Sequence, residues 1–205
     1  MERSPYNLAY TLQVAQNSFA GREPLLMAKQ SGCPYDPLRQ SFTVPYLGRA
    51  FTVSYPAGGV FAENKHEADL ITSILLLHYL SGAGGAELSG GWISFRELQS
   101  GAIYIGPFRK RAVIPLIKGF GTRPGALAQA AEHLGGKKAA YGDLSYIIPV
   151  LPRVPLLVIL WYGDDEFPPN ANILFNRHAN AYLSTEDCAQ LAGQTVYTML
   201  KFKAE

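Results

Sequence analysis

Cysteine is scarce in this chain. Cys33 and Cys188 are the only two in 205 residues, far apart and too few for a disulfide framework, so a reduced compartment is the simpler expectation. Charge is also sparse. Asp, Glu, Lys and Arg make up 17% of the sequence and the net charge is +2, which exerts no strong pull toward nucleic acid or a membrane surface. No apolar run reaches the roughly 20 residues of a membrane span. Residues 71–80 are too short and carry His78, and residues 147–162 are interrupted by Pro149, Pro152, Arg153 and Pro155. The opening Met1-Glu2-Arg3-Ser4-Pro5 leads into a mixed polar segment without the apolar core of a signal peptide, so the expected location is the cytoplasm. Internal repeats, low-complexity tracts and domain linkers are all lacking.

What is present is enough for one core. Hydrophobic residues make up 48% of the chain, well clear of disorder, and the length suits one domain rather than two. Leu8, Leu12, Ala15 and Phe19 recur at near-helical spacing, with Ser4 available as N-cap and Pro5 in the first turn. Residues 22–30 predict a second short helix closed by Gly32. From Ser41 the period changes to two. Phe42, Val44 and Tyr46 share one face and Phe51, Val53 and Tyr55 another, with Leu47-Gly48 between them: a β-hairpin. Residues 60–62 add a short strand.

A helix apolar nearly all round is expected over residues 66–80 and implies deep burial. Gly106-Pro107 is expected to open a basic helix over 108–118, and Thr122 to cap another over 124–134. Residues 92–95, 141–151, 154–162 and 172–175 read as strands. Ser184-Thr-Glu-Asp187 reads as a capping-box start of a last helix through Phe202. The fold class is α+β: a single domain with a mainly antiparallel sheet and about five helices packed on it.

The densest segment runs from Pro149 to Asn176, where a buried apolar run stops at Gly163 and gives way to Asp164-Asp-Glu166 and Pro168-Pro169. This segment, from Pro152-Arg-Val-Pro through Leu160-Trp-Tyr-Gly-Asp-Asp-Glu-Phe-Pro168 to Leu174-Phe-Asn176, together with Trp92-Ile-Ser-Phe-Arg-Glu-Leu98, resembles the domain of unknown function 3786 family of anaerobic bacteria and archaea. His78-Tyr79-Leu80, Phe120-Gly121, Leu134-Gly135-Gly136 and Tyr182-Leu183 extend the resemblance. It covers most of the chain from about Phe42, which makes residues 41–205 the family core and 1–40 a helical segment ahead of it. The resemblance implies no reaction. It implies a setting in corrinoid or one-carbon chemistry and, in some relatives, iron–sulfur clusters. Two cysteines cannot supply the four thiolates such a cluster normally takes, and Asn176 stands where relatives often carry Asp.

The candidate chemistry falls into three groups. Asp164, Asp165 and Glu166, with Asn170 and Asn172, offer oxygen ligands for a hard cation, but their spacing is not that of an EF-hand. They read as a solvated turn whose acids cap backbone N–H groups, with a metal site or a ligand rim as alternatives. In the second group, residues 96–138 hold eight cations against Glu97 and Glu132. There the turn Gly119-Phe-Gly-Thr-Arg-Pro-Gly125 places Arg123 at a helix start that suits an anion or is simply capped; it has neither a Walker ending nor a dinucleotide fingerprint.

The third group is nucleophiles and metal ligands. Leu70 stands where a His-Glu-x-x-His pair with His66 needs its second histidine. His78 reads as a core histidine before a ligand. Cys188 in the first turn of the last helix is a candidate thiol opposed by Glu186 and Asp187. Ser94 and Ser184 lie in no nucleophile elbow. Trp92 and Trp161 read as core lids before a pocket floor. No metal site and no cofactor are specified.

Taken together, these residues predict a cleft in which Arg96, Arg109 and Arg111, with Arg123, face Trp161 and the Asp164, Asp165 and Glu166 rim. Its occupant is expected to be a small anionic molecule or a protein partner, with no membrane partner and with nucleic acid disfavoured. The expected role is a non-enzymatic binding or accessory protein. The alternative is an enzyme with an Asp or Glu general base acting on a small anionic substrate.

Overall fold

The computed structural model describes residues 7–88 and 90–202. It is an α+β fold in which all strand pairing is antiparallel, but the strands divide into two sheets rather than one. The chain enters through α1 (Leu8–Ala20) and α2 (Pro24–Ser31). Ser4 and Pro5 lie outside the described residues; the side chain of Asn7 caps α1 by accepting from Tyr10 N–H at 3.2 Å. Glu23 caps α2 through Leu25 and Leu26 N–H.

The first sheet runs β1 (Tyr35–Asp36), β2 (Ser41–Tyr46), β3 (Arg49–Ser54) and β4 (Val60–Ala62) in order. The expected hairpin is there, with Phe42 opposite Val53 and Val44 opposite Phe51. At its tip the Leu47 N–H donates to Val150 O in the second sheet. That sheet holds β5 (Trp92–Ser94), β6 (Lys137–Ala139), β7 (Leu144–Leu151), β8 (Val154–Trp161) and β9 (Asn170–Asn176) in the order β5-β9-β8-β7-β6. Leu156 to Leu160 in the central strand β8 are all buried, so the sheet is covered on both faces, as an uninterrupted apolar strand requires.

The apolar helix α3 (Leu70–Gly82) starts four residues later than its periodicity suggests. Asp69 is the reason: its carboxylate accepts from Ile71 and Thr72 N–H and fixes the first turn there, while Glu67 still pairs with Phe61 as a β-bridge. The basic helix, by contrast, starts earlier than expected. A 3-10 turn (Phe95–Glu97) leads into α4 (Gly101–Phe108), so Pro107 lies inside a helix rather than at its start. A π-turn (Arg109–Val113) follows and runs into α5 (Ile114–Phe120). Pro115 explains the widening: in α geometry its ring would collide with the carbonyl of residue 111, and a π-turn opens that step.

The chain closes with α6 (Pro124–His133) and α7 (Thr185–Lys201). Thr122 does not cap α6; Arg123 holds the N-cap position without a side-chain capping bond. Ser184 and Asp187 form the expected capping box on α7. Counting α4, the π-turn and α5 as one interrupted rod, six helical rods surround the sheets among the described residues, and one continuous core joins these helices to both sheets.

Candidate functional site

Helix α3 carries a different load on each side. Tyr79 is fully buried; its hydroxyl donates to Ser31 O at 2.6 Å and accepts from Arg153 N–H at 3.0 Å, tying α3 to α2 and to the β7–β8 turn. His78, one residue earlier, points the other way. Its Nδ1 lies 2.9 Å from Asp187 Oδ1, with 32% of the histidine side chain and 14% of the aspartate side chain exposed. The other Asp187 oxygen, Oδ2, accepts from the backbone N–H and the hydroxyl of Ser184, the latter at 2.7 Å. One carboxylate therefore caps α7 and orients an imidazole from another helix. Ser184 spends its hydroxyl on Asp187, so serine, aspartate and histidine do not line up as a nucleophilic triad.

Holding Nδ1 against a carboxylate leaves Nε2, which has no hydrogen-bond partner among the described residues. The Asp187 hydrogen bond raises the His78 pKa above its ordinary 6.5; partial burial opposes the rise and the negative charge of Asp187 adds to it. Close backbone approach delivers Asp187 to His78. A Cβ on Gly82, at the end of α3, would sit 2.8 Å from Tyr182 O, so glycine there lets residues 181–184 press against α3 and start α7 beside His78.

Arg111 reaches the same place from the π-turn. Its alkyl stem lies over Gly193 of α7, where a Cβ would come within 2.8 Å of Arg111 Cγ. Its Nη1 then donates to Glu186 Oε1 at 2.8 Å. Two ion pairs, His78–Asp187 and Arg111–Glu186, thus flank the first turn of α7.

Two cavities meet at this point. One, of about 480 Å³, is a groove between α1, α3 and α7 with Leu8, Ile71, Ile74 and Leu75 as apolar wall and Arg111 and Gln190 beside them. The other, of about 820 Å³, is a basin rich in hydroxyl and amide groups, including Ser18, Ser81, Gln99 and Asn180, with Arg22 at its margin. His78, Ser184, Glu186 and Asp187 line both. An apolar groove opening into a polar basin across one oriented imidazole is the arrangement of a small-molecule site.

The residues singled out from sequence are spread over the molecule. Arg111 lines the groove. Arg96, in the 3-10 turn, and Arg109, opening the π-turn, are exposed and make no ion pair among the described residues. Arg123 is likewise exposed at the start of α6. Asp164, Asp165 and Glu166 are exposed in the β8–β9 connection. Asp164 Oδ1 accepts from Glu166 and Phe167 N–H at 2.9 and 2.7 Å, so its carboxylate closes its own turn. This rim does approach the Gly121–Thr122–Pro124 turn across a depression of about 440 Å³ floored by Phe167, Pro168 and Pro169. Trp161, 38% exposed at the end of β8, does not line that depression, and none of the five best-formed cavities among the described residues brings the arginines and the rim together.

The remaining candidates resolve simply. Cys188 is fully buried, and burial, reinforced by Asp187, pushes its thiol far up, opposite to what a nucleophile needs. Burial raises the Cys33 thiol to about 11. Ser94 serves Glu97 in a capping box of its own. Asn176 is buried and accepts from His178 N–H. No group of three or more metal-ligating side chains is found among the described residues, and none of their helices is long and apolar enough to cross a membrane. What sequence reasoning missed is the Asp187–His78 pairing. The only hint was a histidine on an otherwise apolar helix.

The family described as Domain of unknown function (DUF3786) matches residues 23–198. The chain belongs to that family. The DUF3786 match starts within the N-terminal helical region rather than at Phe42 and ends inside α7, so it contains His78, Arg111 and the whole Ser184–Asp187 turn. It leaves out α1, which supplies one wall of the groove. No curated protein and no solved structure matches the chain.

Proposed function

We propose that this DUF3786 protein is a non-enzymatic binding module whose small-molecule ligand occupies the groove between α1, α3 and α7. The single observation that carries the reading is His78, oriented by Asp187 through Nδ1 with Nε2 unclaimed, on the ridge shared by the groove and the basin. An enzyme using Asp164 or Glu166 as general base is less well supported, because the rim is exposed and Asp164 is occupied with its own turn. A general base of that kind works from a shielded position within reach of its substrate. Two buried, unpaired thiols suit a reducing cytoplasm. Service to corrinoid or one-carbon metabolism in an anaerobe is the setting implied by resemblance alone.

The test is native mass spectrometry of protein purified anaerobically from its own cells, with metal analysis of the same sample. The expected result is a stoichiometric organic adduct that survives Arg109→Ala and is lost in Arg111→Ala and in Ile71→Asp. A bare wild-type mass would overturn the small-molecule reading in favour of a protein partner.

A further inference from the structure

The binding reading above leaves the chemistry of the ligand open, and the charges around His78 narrow it. Glu186 and Asp187 are the carboxylates that line both cavities, and each already has a basic partner: Arg111 for Glu186 and, for Asp187, the imidazole of His78, a cation when protonated. Arg22 has no carboxylate partner among the described residues. Its Nε donates to Ser81 O at 2.9 Å, at the carbonyl end of α3. That bond uses one donor and leaves the terminal nitrogens of the guanidinium.

Ser81 is three positions beyond His78 on α3, so Arg22 is anchored just under one helical turn along the chain from the residue that carries the imidazole. Both line the basin, whose remaining walls are uncharged apart from the two paired carboxylates. With His78 protonated, Nδ1–H serves Asp187 and Nε2–H is left as a donor, so the local balance favours one negative charge placed between Arg22 and the imidazolium. On the far side of the ridge the groove offers aliphatic wall from α1 and α3.

We infer that the ligand is an anionic amphiphile: a carboxylate head held in the basin by Arg22 and His78, with an apolar chain laid over the ridge into the groove along Ile71 and Ile74. The inference rests on the groove being the binding site, and its test is built so that the two can fail separately.

Isothermal titration is run with octanoate, octanol and octyltrimethylammonium as probes, each below its aggregation concentration. Octanoate is expected to bind one to one and at least about ten-fold more tightly than octanol, the size of one charge-assisted hydrogen bond. The ammonium probe is expected not to bind. Arg22→Gln and His78→Asn should each cost octanoate about ten-fold and leave octanol unchanged; asparagine keeps a donor for Asp187 while removing Nε2. Ile71→Ser should weaken octanoate and octanol alike. Thermal unfolding of each variant checks that the fold is retained. Equal affinity for octanoate and octanol, or no loss in Arg22→Gln and His78→Asn, overturns the carboxylate assignment while octanol binding that depends on Ile71 upholds the groove. Failure of every probe in a folded wild-type protein overturns both.

Discussion

Asp164 and Asp187 do the same local job in two regions of the molecule. Each follows a strand or loop end and accepts hydrogen bonds from groups two or three residues away, Asp164 from Glu166 and Phe167 and Asp187 from Ser184. They differ in what happens to the second oxygen. At the β8–β9 rim Asp164 remains in solvent with Asp165 and Glu166. At the start of α7 the second oxygen of Asp187 meets an imidazole from α3, 109 positions earlier in the chain. A capping carboxylate becomes part of a candidate site when a neighbouring element is packed close enough to use its free lone pairs. Acid density is a poor guide: the rim has three acids in a row, yet the carboxylate that meets the histidine stands in the first turn of α7.

Alanine at both positions gives the sharpest contrast. Asp187→Ala removes a cap and the orienting partner of a half-buried histidine, and is expected to cost about 2–3 kcal/mol in urea denaturation. Asp164→Ala removes only two exposed bonds within one turn and should cost about 0.5–1 kcal/mol. Equal losses would erase the distinction.

Gly82→Ala comes next. Its Cβ would press on the Tyr182 carbonyl at 2.8 Å, with an expected loss of about 1–2 kcal/mol. Because the clash pushes residues 181–184 off α3, the His78 proton resonances should also move toward those of a free imidazole.

The pH dependence follows from the same pair. The folded pKa of His78 lies above the unfolded value of about 6.5, so the stabilisation is fully present below about pH 6.5 and is lost as pH rises through the folded pKa. Asp187→Asn should therefore bring the NMR-monitored His78 titration down toward its ordinary range and flatten the fall in stability on the alkaline side of that titration. A His78 titration unchanged by Asp187→Asn would show that the pair does not set it. The smallest effect is expected for Asp165→Ala, an exposed acid with no ion-pair partner among the described residues, within about 0.5 kcal/mol by thermal unfolding.

Much of the fold was legible because it depends on local periodicity. Alternation at Phe42, Val44 and Tyr46 marked β2, since side-chain direction in a strand follows from sequence position alone, and the apolar run ending at Tyr162 marked β8, which closes one residue earlier at Trp161. Boundaries slipped where a single side chain overrode the pattern, as Asp69 does at the start of α3. Gly106-Pro107 misled for a related reason: proline is a good helix starter, but α4 was already under way at Gly101 and carries Pro107 inside it.

The candidate site was legible only in pieces. Ser184 and Asp187 were readable as a cap because their partners are three residues apart. Arg111 was one of eight cations in a basic stretch, and nothing in its neighbours distinguishes it from Arg109. The packing of its stem over Gly193 and the bond to Glu186 make that distinction, and both lie more than seventy positions away.

By itself, then, the sequence determined the α+β class, the hairpin, the apolar central strand, the capping box of α7 and the family, because each rests on residues close together in the chain. Tertiary structure alone decided that His78 faces Asp187, that Arg22 binds the Ser81 carbonyl and shares a polar basin with His78, and that an apolar groove meets the basin there. Those contacts join α1, α3, the π-turn and α7 across the fold, and they depend on how closely the backbones approach, a quantity that no spacing along the chain encodes.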